Sequence, residues 1–496
     1  MNNKVLPSFK VSLIPILSLI VLLVFNVLVF GDEALNGSIQ IVLLVASGIT
    51  CAISMLKYKY SWDTFEKGFI KNIANSIPAI LVLLFIGAMA GTWMMSGIIP
   101  AMIYYGVKLI NPVIFLVTAC LVSAIISLCT GSSWTTIATI GVGLIGIGKA
   151  LGFDTGWIAG AIISGAYFGD KVSPLSETTN MAATTAGTNI FSHIKYMMIT
   201  TVPSFLITLT IFTVYGFFIS GSGDVNIGEL SDVISKSYNI TPLLFIIPII
   251  VVVMIAKKIP AIIVLFTGTL LGILGILIFQ PEIGKIVTDS TVSSFTDRIV
   301  LAIKSAYGPI SPQTGFEMLD SLVSTKGMSG MLNTVWLIIC AMCFGGALEA
   351  SGMLTTFTKK LVSMMKSTFS TVASTTGACL FLNFATADQY ISILLPGRMF
   401  SNIYQNKGYR PELLSRTLED SATVTSVLIP WNSCGMAQSA VLGVATLTYL
   451  PFCFFNILSP IMTLLIAALK YKIKVDPNII STENEQEDEI KQAHAF

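Results

Sequence analysis

Ten apolar runs limit what this chain can become more than anything else in it. They cover 11–30, 38–56, 76–95, 112–128, 196–219, 241–256, 259–279, 333–350, 371–384 and 444–469. All but the short ninth approach the roughly 20 helical residues needed to cross a bilayer. With 54% hydrophobic and only 11% charged residues over 496 positions and a mean hydropathy of +0.82, the chain is too apolar for water. An all-α polytopic membrane protein is predicted, because helices satisfy their own backbone in lipid. Lys4 and Lys10 precede the first run as in a signal peptide, but the core is too long and no small-x-small cleavage site follows, so it reads as a retained helix.

Other classes are argued against by composition. The eight cysteines, Cys340 and Cys343 among them, lie in apolar runs without His or acidic neighbours and read as buried thiols rather than metal or redox centres. Only two histidines, no Ser/His/Asp set and no nucleotide motif argue against an enzyme and its cofactors. A net charge of +2 without a basic cluster argues against nucleic acid as a partner.

Short cytoplasmic loops collect Lys and Arg. Lys4 and Lys10, then Lys57, Lys59, Lys67 and Lys71, then Lys257 and Lys258 mark that side. So do Lys359, Lys360 and Lys366, the group Arg398, Lys407, Arg410 and Arg416, and Lys470, Lys472 and Lys474. Both termini are predicted inside, with 476–496 as an acidic cytoplasmic tail, and Asp32, Glu33 and 224–232 outside. The long connection 280–331 is placed outside although it carries Lys285, Arg298, Lys304 and Lys326, since long loops translocate largely regardless of charge. His193 and Lys195 read as boundary residues, and Glu349 as lying at the inner interface.

Against this apolar background the stretch 169–180 holds Asp170, Lys171, Ser173, Pro174, Glu177, Thr178, Thr179 and Asn180. An ionisable group at membrane depth costs roughly 2.5–3.5 kcal/mol, so it faces a cavity, a partner or an ion. Asp170 and Glu177 suit a cation, with Ser173, Thr178, Thr179 and Asn180 as neutral oxygens. The alternatives are an ion pair of Asp170 with Lys171, and a helix cap for Glu177.

The two halves match weakly. Residues 91–97 align with 346–352 at a shift of 255, the same shift lays 129–134 on 384–389, and a slightly smaller one lays Asp170 on Asp420. By the charge count the helix through Gly91 runs outward and its counterpart through Gly346 inward. The expectation is therefore an inverted-repeat secondary transporter with broken helices and re-entrant hairpins. Its repeats are 1–230 and 231–475, with scaffold helices at about 11–56 and 241–279 and transport parts at about 76–219 and 331–470. Residues 112–149 are expected to dip in and return, with Thr130, Gly131, Ser132 and Ser133 at the tip. Thr386, Asp388 and Gln389 form the second tip, and Asp420 and Asn432 lie in the second broken helix. A cytoplasmic surface position is the alternative for Asp420.

These residues resemble the NhaC-type sodium/proton antiporter family, within the ion transporter superfamily. The resemblance rests on Gly165-Ala166-Tyr167-Phe168-Gly169-Asp170-Lys171 continuing to Asn180, on Thr130-Gly131-Ser132-Ser133-Trp134, and on Asp388-Gln389-Tyr390 with Pro396-Gly397-Arg398. It extends to Leu418-Glu419-Asp420-Ser421 and Ile429-Pro430-Trp431-Asn432-Ser433-Cys434-Gly435, and covers nearly the whole chain. It implies a plasma-membrane exchanger of Na+ for H+; the residue reading puts the Na+ at Asp170 and Asp388 and expects no cofactor. Carrier analogy alone adds a homodimer and a transport bundle moving against the scaffold. The family often has Asp where this chain has Glu177. A related branch exchanges sodium-lactate for malate and protons, and in that reading Lys171 or Arg398 meets the small carboxylate.

Overall fold

Amides buried in hydrocarbon have no water to bond, so this chain must satisfy them within its own helices. The computed structural model describes residues 6–30, 37–219, 227–287 and 295–473. Lys4, Asp32, Glu33, Asp224, Lys474 and the segment 476–496 lie outside the described residues. Among the described residues seven helices are long and apolar enough to cross a membrane, or nine if each of two bent pairs is one span.

The chain begins with α1 (Phe9–Phe30), α2 (Ser38–Tyr58), α3 (Trp62–Met95), α4 (Ile98–Leu109) and α5 (Phe115–Thr130). A turn Ser133–Thr136 and a π-helical turn Ile137–Gly141 lead into α6 (Val142–Ala150). Then come α7 (Thr155–Val172), α8 (Glu177–Ala186), α9 (Ile190–Ile219), α10 (Ile246–Ala256) and α11 (Ala261–Phe279). The second half supplies α12 (Leu332–Ala350), α13 (Met353–Val362), α14 (Thr368–Thr386), α15 (Gln389–Asn406) and α16 (Pro411–Leu418). A π-helical turn Glu419–Thr423 continues α16, and α17 (Ser433–Leu442) and α18 (Phe454–Ala468) follow. The run 371–384, too short by apolar count, lies in a helix of 19 residues because Ser367 and Ser370 form a capping box at its start.

The segment 112–150 folds back on itself. Gly131 turns the chain at φ +68°, Ser132 caps the return, and a Cβ on Gly148 would meet Phe115 and Ile158 at the open end. The same geometry recurs in the second half, where Ala387 takes φ +57° and Asp388 caps α15. Further matches are the N-caps Ser176 and Asn432 and the left-handed Gly187 and Gly443, each 256 residues apart, and Gly97 and Gly352, 255 apart. At the offset of the caps Asp170 matches Ser426, not Asp420 as the smaller sequence shift had it.

Close approach of α5 and α7 depends on Gly165 and Gly169, where a Cβ would overlap the carbonyls of Cys120 and Ala124. This places the end of α7 beside the first hairpin tip. Long α3 packs on α11 and α12, and α12 on α2; Trp93 Nε1 donates to Gly268 O at 3.0 Å across the α3–α11 contact. Glu349 pairs with Lys71 at 2.5 Å and accepts from Asn72 at 2.9 Å.

Two residues assigned to a boundary or loop are buried instead. His193 is fully buried, its Nδ1 2.8 Å from Ser415 Oγ. Arg416 is fully buried with its guanidinium 4.8 Å from the Tyr196 ring. Charge alone placed them at the cytoplasmic edge; the packing of α9 against α16 covers both.

Candidate functional site

Asp170 lies buried in the last turn of α7. Its Oδ2 accepts from Ser133 N at 3.0 Å and Ser133 Oγ at 2.7 Å, so the carboxylate meets the N-terminal end of the helical run that leaves the hairpin tip. The expected alternative, pairing with Lys171, is absent. Neighbouring helical residues point about 100° apart, and Lys171 turns into a separate buried cluster, where it pairs with Asp420. Lys171 Nζ also donates to Ser459 Oγ at 2.8 Å, and Asp420 accepts from Thr200 Oγ1 at 2.8 Å and from Thr463. Asp420 is thus neither a surface residue nor part of the Asp170 cavity.

A cavity of about 690 Å³ brings together candidate side chains from both halves. Asp170 lines it together with Thr130, Gly131 and Ser132 of the first tip, Asp388 and Gln389 of the second, and Ser176, Glu177 and Thr178 of the break before α8. Asp388 is the N-cap of α15, Oδ1 accepting from Ile391 N at 2.8 Å. Glu177 does not cap α8, since Ser176 does; its Oε2 accepts from Tyr390 OH at 3.0 Å, a contact between the halves. Gln389 Oε1 accepts from Ser426 Oγ at 3.3 Å and from Cys434.

Other expected ligands serve the backbone. Ser173 Oγ donates to Leu128 O at 2.8 Å, and Asn180 Nδ2 to Ser176 O at 2.6 Å and Pro174 O at 3.0 Å. Asn432 caps α17 and bonds Asn383 O at 3.0 Å, and Thr386 Oγ1 bonds back to Leu382 O at 2.8 Å. Arg398 is exposed and does not line the cavity.

The sequence reading passed over Glu419. It is fully buried at the start of the π-helical turn, and Thr178 and Thr179 donate to its Oε1 at 3.0 and 3.3 Å while Thr423 donates to Oε2 at 2.7 Å. Among the described residues no Lys or Arg nitrogen comes within 4.0 Å of it. Thr178 connects it to the cavity and Thr179 ties it to α7 through Lys171 O at 3.0 Å. The available signal was a second carboxylate directly before Asp420, with a threonine at i+4.

Broken helices, two hairpin tips and a carboxylate-lined cavity inside a bundle of apolar spans define a multi-pass membrane carrier. A model of the Na+/H+ antiporter family matches residues 165–470. The Na(+)/H(+) antiporter NhaC of Alkalihalophilus pseudofirmus is 35% identical over 86% of this chain and 89% of its own length. The malate-2H(+)/Na(+)-lactate antiporter of Bacillus subtilis is 34% identical over 88% and 91%, and the arginine/ornithine antiporter ArcD of Halobacterium salinarum 31% over 94% and 93%. The chain belongs to the Na+/H+ antiporter family, and it is an antiporter rather than an enzyme.

Proposed function

We propose that this antiporter exchanges Na+ for H+ across the plasma membrane, with Asp170 holding one or the other. The observation that carries the reading is a buried carboxylate facing the cavity that both hairpin tips line. One carboxylate cannot hold a sodium ion and a proton together, so an entering cation expels the proton and exchange needs no further machinery. Asp388 is the second carboxylate for sodium, Thr178 and the tip residues Thr130 and Ser132 supply neutral oxygens, and Glu419 adds a negative charge behind Thr178.

The recurrence of caps and left-handed residues at a near-constant offset supports repeats over 1–230 and 231–475. Their inverted sense follows from the charge count, and the open end of the first hairpin, at Lys149, shares a cavity wall with Ser321 to Met331 of the long connection. Because α3 and α12 pack chiefly on α11 and α2, we group them with the scaffold. Exchange of small carboxylates through Lys171 or Arg398 is not favoured, since neither lines this cavity.

Reconstitution in sealed liposomes with a trapped pH dye tests the exchange. Added sodium is expected to drive a pH change in the wild type that Asp170→Asn, folded as judged by its melting curve, does not give. No response to sodium alone in the wild type, or full activity in Asp170→Asn, would sink the reading.

A further inference from the structure

We propose that Lys258 acts as a valence filter on the Asp170 cavity, admitting Na+ while its fixed positive charge holds back divalent cations. The inference rests on cation exchange at Asp170 and names what selects the cation.

The ligands in the cavity do not make that selection by themselves. Asp170, Glu177 and Asp388 line it with the hydroxyls of Thr130, Ser132 and Thr178. Carboxylates and neutral oxygens are also what Ca2+ takes, at about 2.3–2.6 Å. At equal distance a carboxylate attracts a dication twice as strongly as a monocation, so these walls alone favour calcium over sodium. A sodium carrier built on them needs a group that discriminates by charge.

Lys258 is the one basic residue among those lining the cavity. It lies exposed in the turn between α10 and α11, whereas Asp170 and Asp388 are buried, so the lysine stands at the solvent end. The backbone fixes its place. Lys258 N donates to Ile255 O at 2.8 Å and Ile259 N to Met254 O at 3.2 Å, a Schellman turn that holds Lys258 left-handed at φ +61°. Among the described residues no carboxylate comes within 4.0 Å of Lys258, so no ion pair neutralises it. The C-terminal end of α10 offsets about half a charge, and neighbouring Lys257, exposed and outside the cavity wall, adds charge of the same sign.

A fixed charge acts on an ion in proportion to the ion's own charge. Whatever factor in affinity Lys258 costs Na+, it therefore costs Ca2+ the square of that factor. For sodium the factor is about two, the Boltzmann weight of two unit charges about 10 Å apart in water, and for calcium about four. Apolar Pro78, Val82, Ile255 and Ile259 on the same walls focus the field and strengthen both.

Sodium-driven proton flux in sealed liposomes, with Ca2+ as competitor at an ionic strength of about 0.01 M, where the Debye length is about 30 Å, tests the filter. Lys258→Met is expected to lower the sodium half-saturation about twofold and the calcium inhibition constant about fourfold, with Lys258→Arg at wild-type values. Both changes should shrink at about 0.15 M salt, where the Debye length is about 8 Å. Lys258→Gly, which suits the left-handed backbone, should repeat the Lys258→Met result and so separates charge from fold. Unchanged constants in Lys258→Met overturn the proposal, as do equal factors for the two ions or factors that persist in salt. Calorimetric titration of Ca2+ into the same purified proteins reads the change of about fourfold without transport. Absence of sodium-driven flux in the wild type thus counts against exchange at Asp170, while the titration still judges the filter.

Discussion

Adjacent carboxylates here do different work. Glu419 accepts only hydroxyl bonds and sits one threonine behind the cavity, whereas Asp420 is held by a lysine in a sealed cluster. Glu419→Gln keeps the shape and loses the charge, so it should leave the melting temperature unchanged and weaken apparent sodium affinity about tenfold in the liposome assay. Lys171→Met should do the reverse of the first effect, lowering stability by about 3–5 kcal/mol because it strands a buried charge. Adding Asp420→Asn to Lys171→Met should recover only part of that loss in a thermal melt, because buried Arg416, 4.0 Å from Asp420 Oδ2, then loses its counter-charge. A Glu419→Gln protein with normal sodium dependence, or a Lys171→Met protein with a normal melt, would contradict the division. Sequence could not make it: which way Asp170 and Lys171 or Glu419 and Asp420 point depends on helix rotation, and that is fixed by partners such as Ser133, Thr178 and Ser459 hundreds of residues apart in some cases.

At the scale of elements, the spans and breaks were legible because lipid dictates them. Each apolar run lies mainly in helix, although 444–469 bends by 56° after Phe452. The hairpin tips were visible as Thr130-Gly131-Ser132-Ser133 and Thr386-Ala387-Asp388-Gln389, but the repeat register was not. The π-helical turns Ile137–Gly141 and Glu419–Thr423 lie at unmatched places in the two halves and change the helical phase there, so identity alone led to Asp170 over Asp420. The tips differ in one testable respect. Gly131 is left-handed, and its Cβ would meet Leu175 and Ser176; Ala387 is left-handed without that freedom. Gly131→Ala should cost about 1–2 kcal/mol or more, whereas Ala387→Gly should be neutral or stabilising by up to about 1 kcal/mol. Melting curves of both variants check this, and equal losses would mean that tip conformation is not what these positions set.

On the scale of the whole molecule, two cavities lie along α3, one beside its middle and one beside its C-terminal part. Asn75–Val82 contributes to the wall of the first and Gly87–Met94 to that of the second, and α17 likewise borders both. Ala79 and Ala90 face one cavity each, 11 residues or about 16 Å apart along α3. Access to Asp170 in this conformation therefore comes from the end of the bundle that carries Lys258. In a cysteine-free background, Ala79→Cys should react with a membrane-impermeant thiol reagent from that face alone, and Ala90→Cys from the other face alone. On the expectation from the charge count that the Lys258 face is cytoplasmic, inside-out vesicles should label Ala79→Cys and right-side-out vesicles Ala90→Cys. Labelling of both from one side would mean that the cavities are a single vestibule and that the walls between them do not separate two solutions. The opposite assignment of sides would invert the topology while leaving the separation intact. A carrier with a carboxylate open to one side at a time needs that separation, because a continuous path would dissipate the gradients that antiport couples.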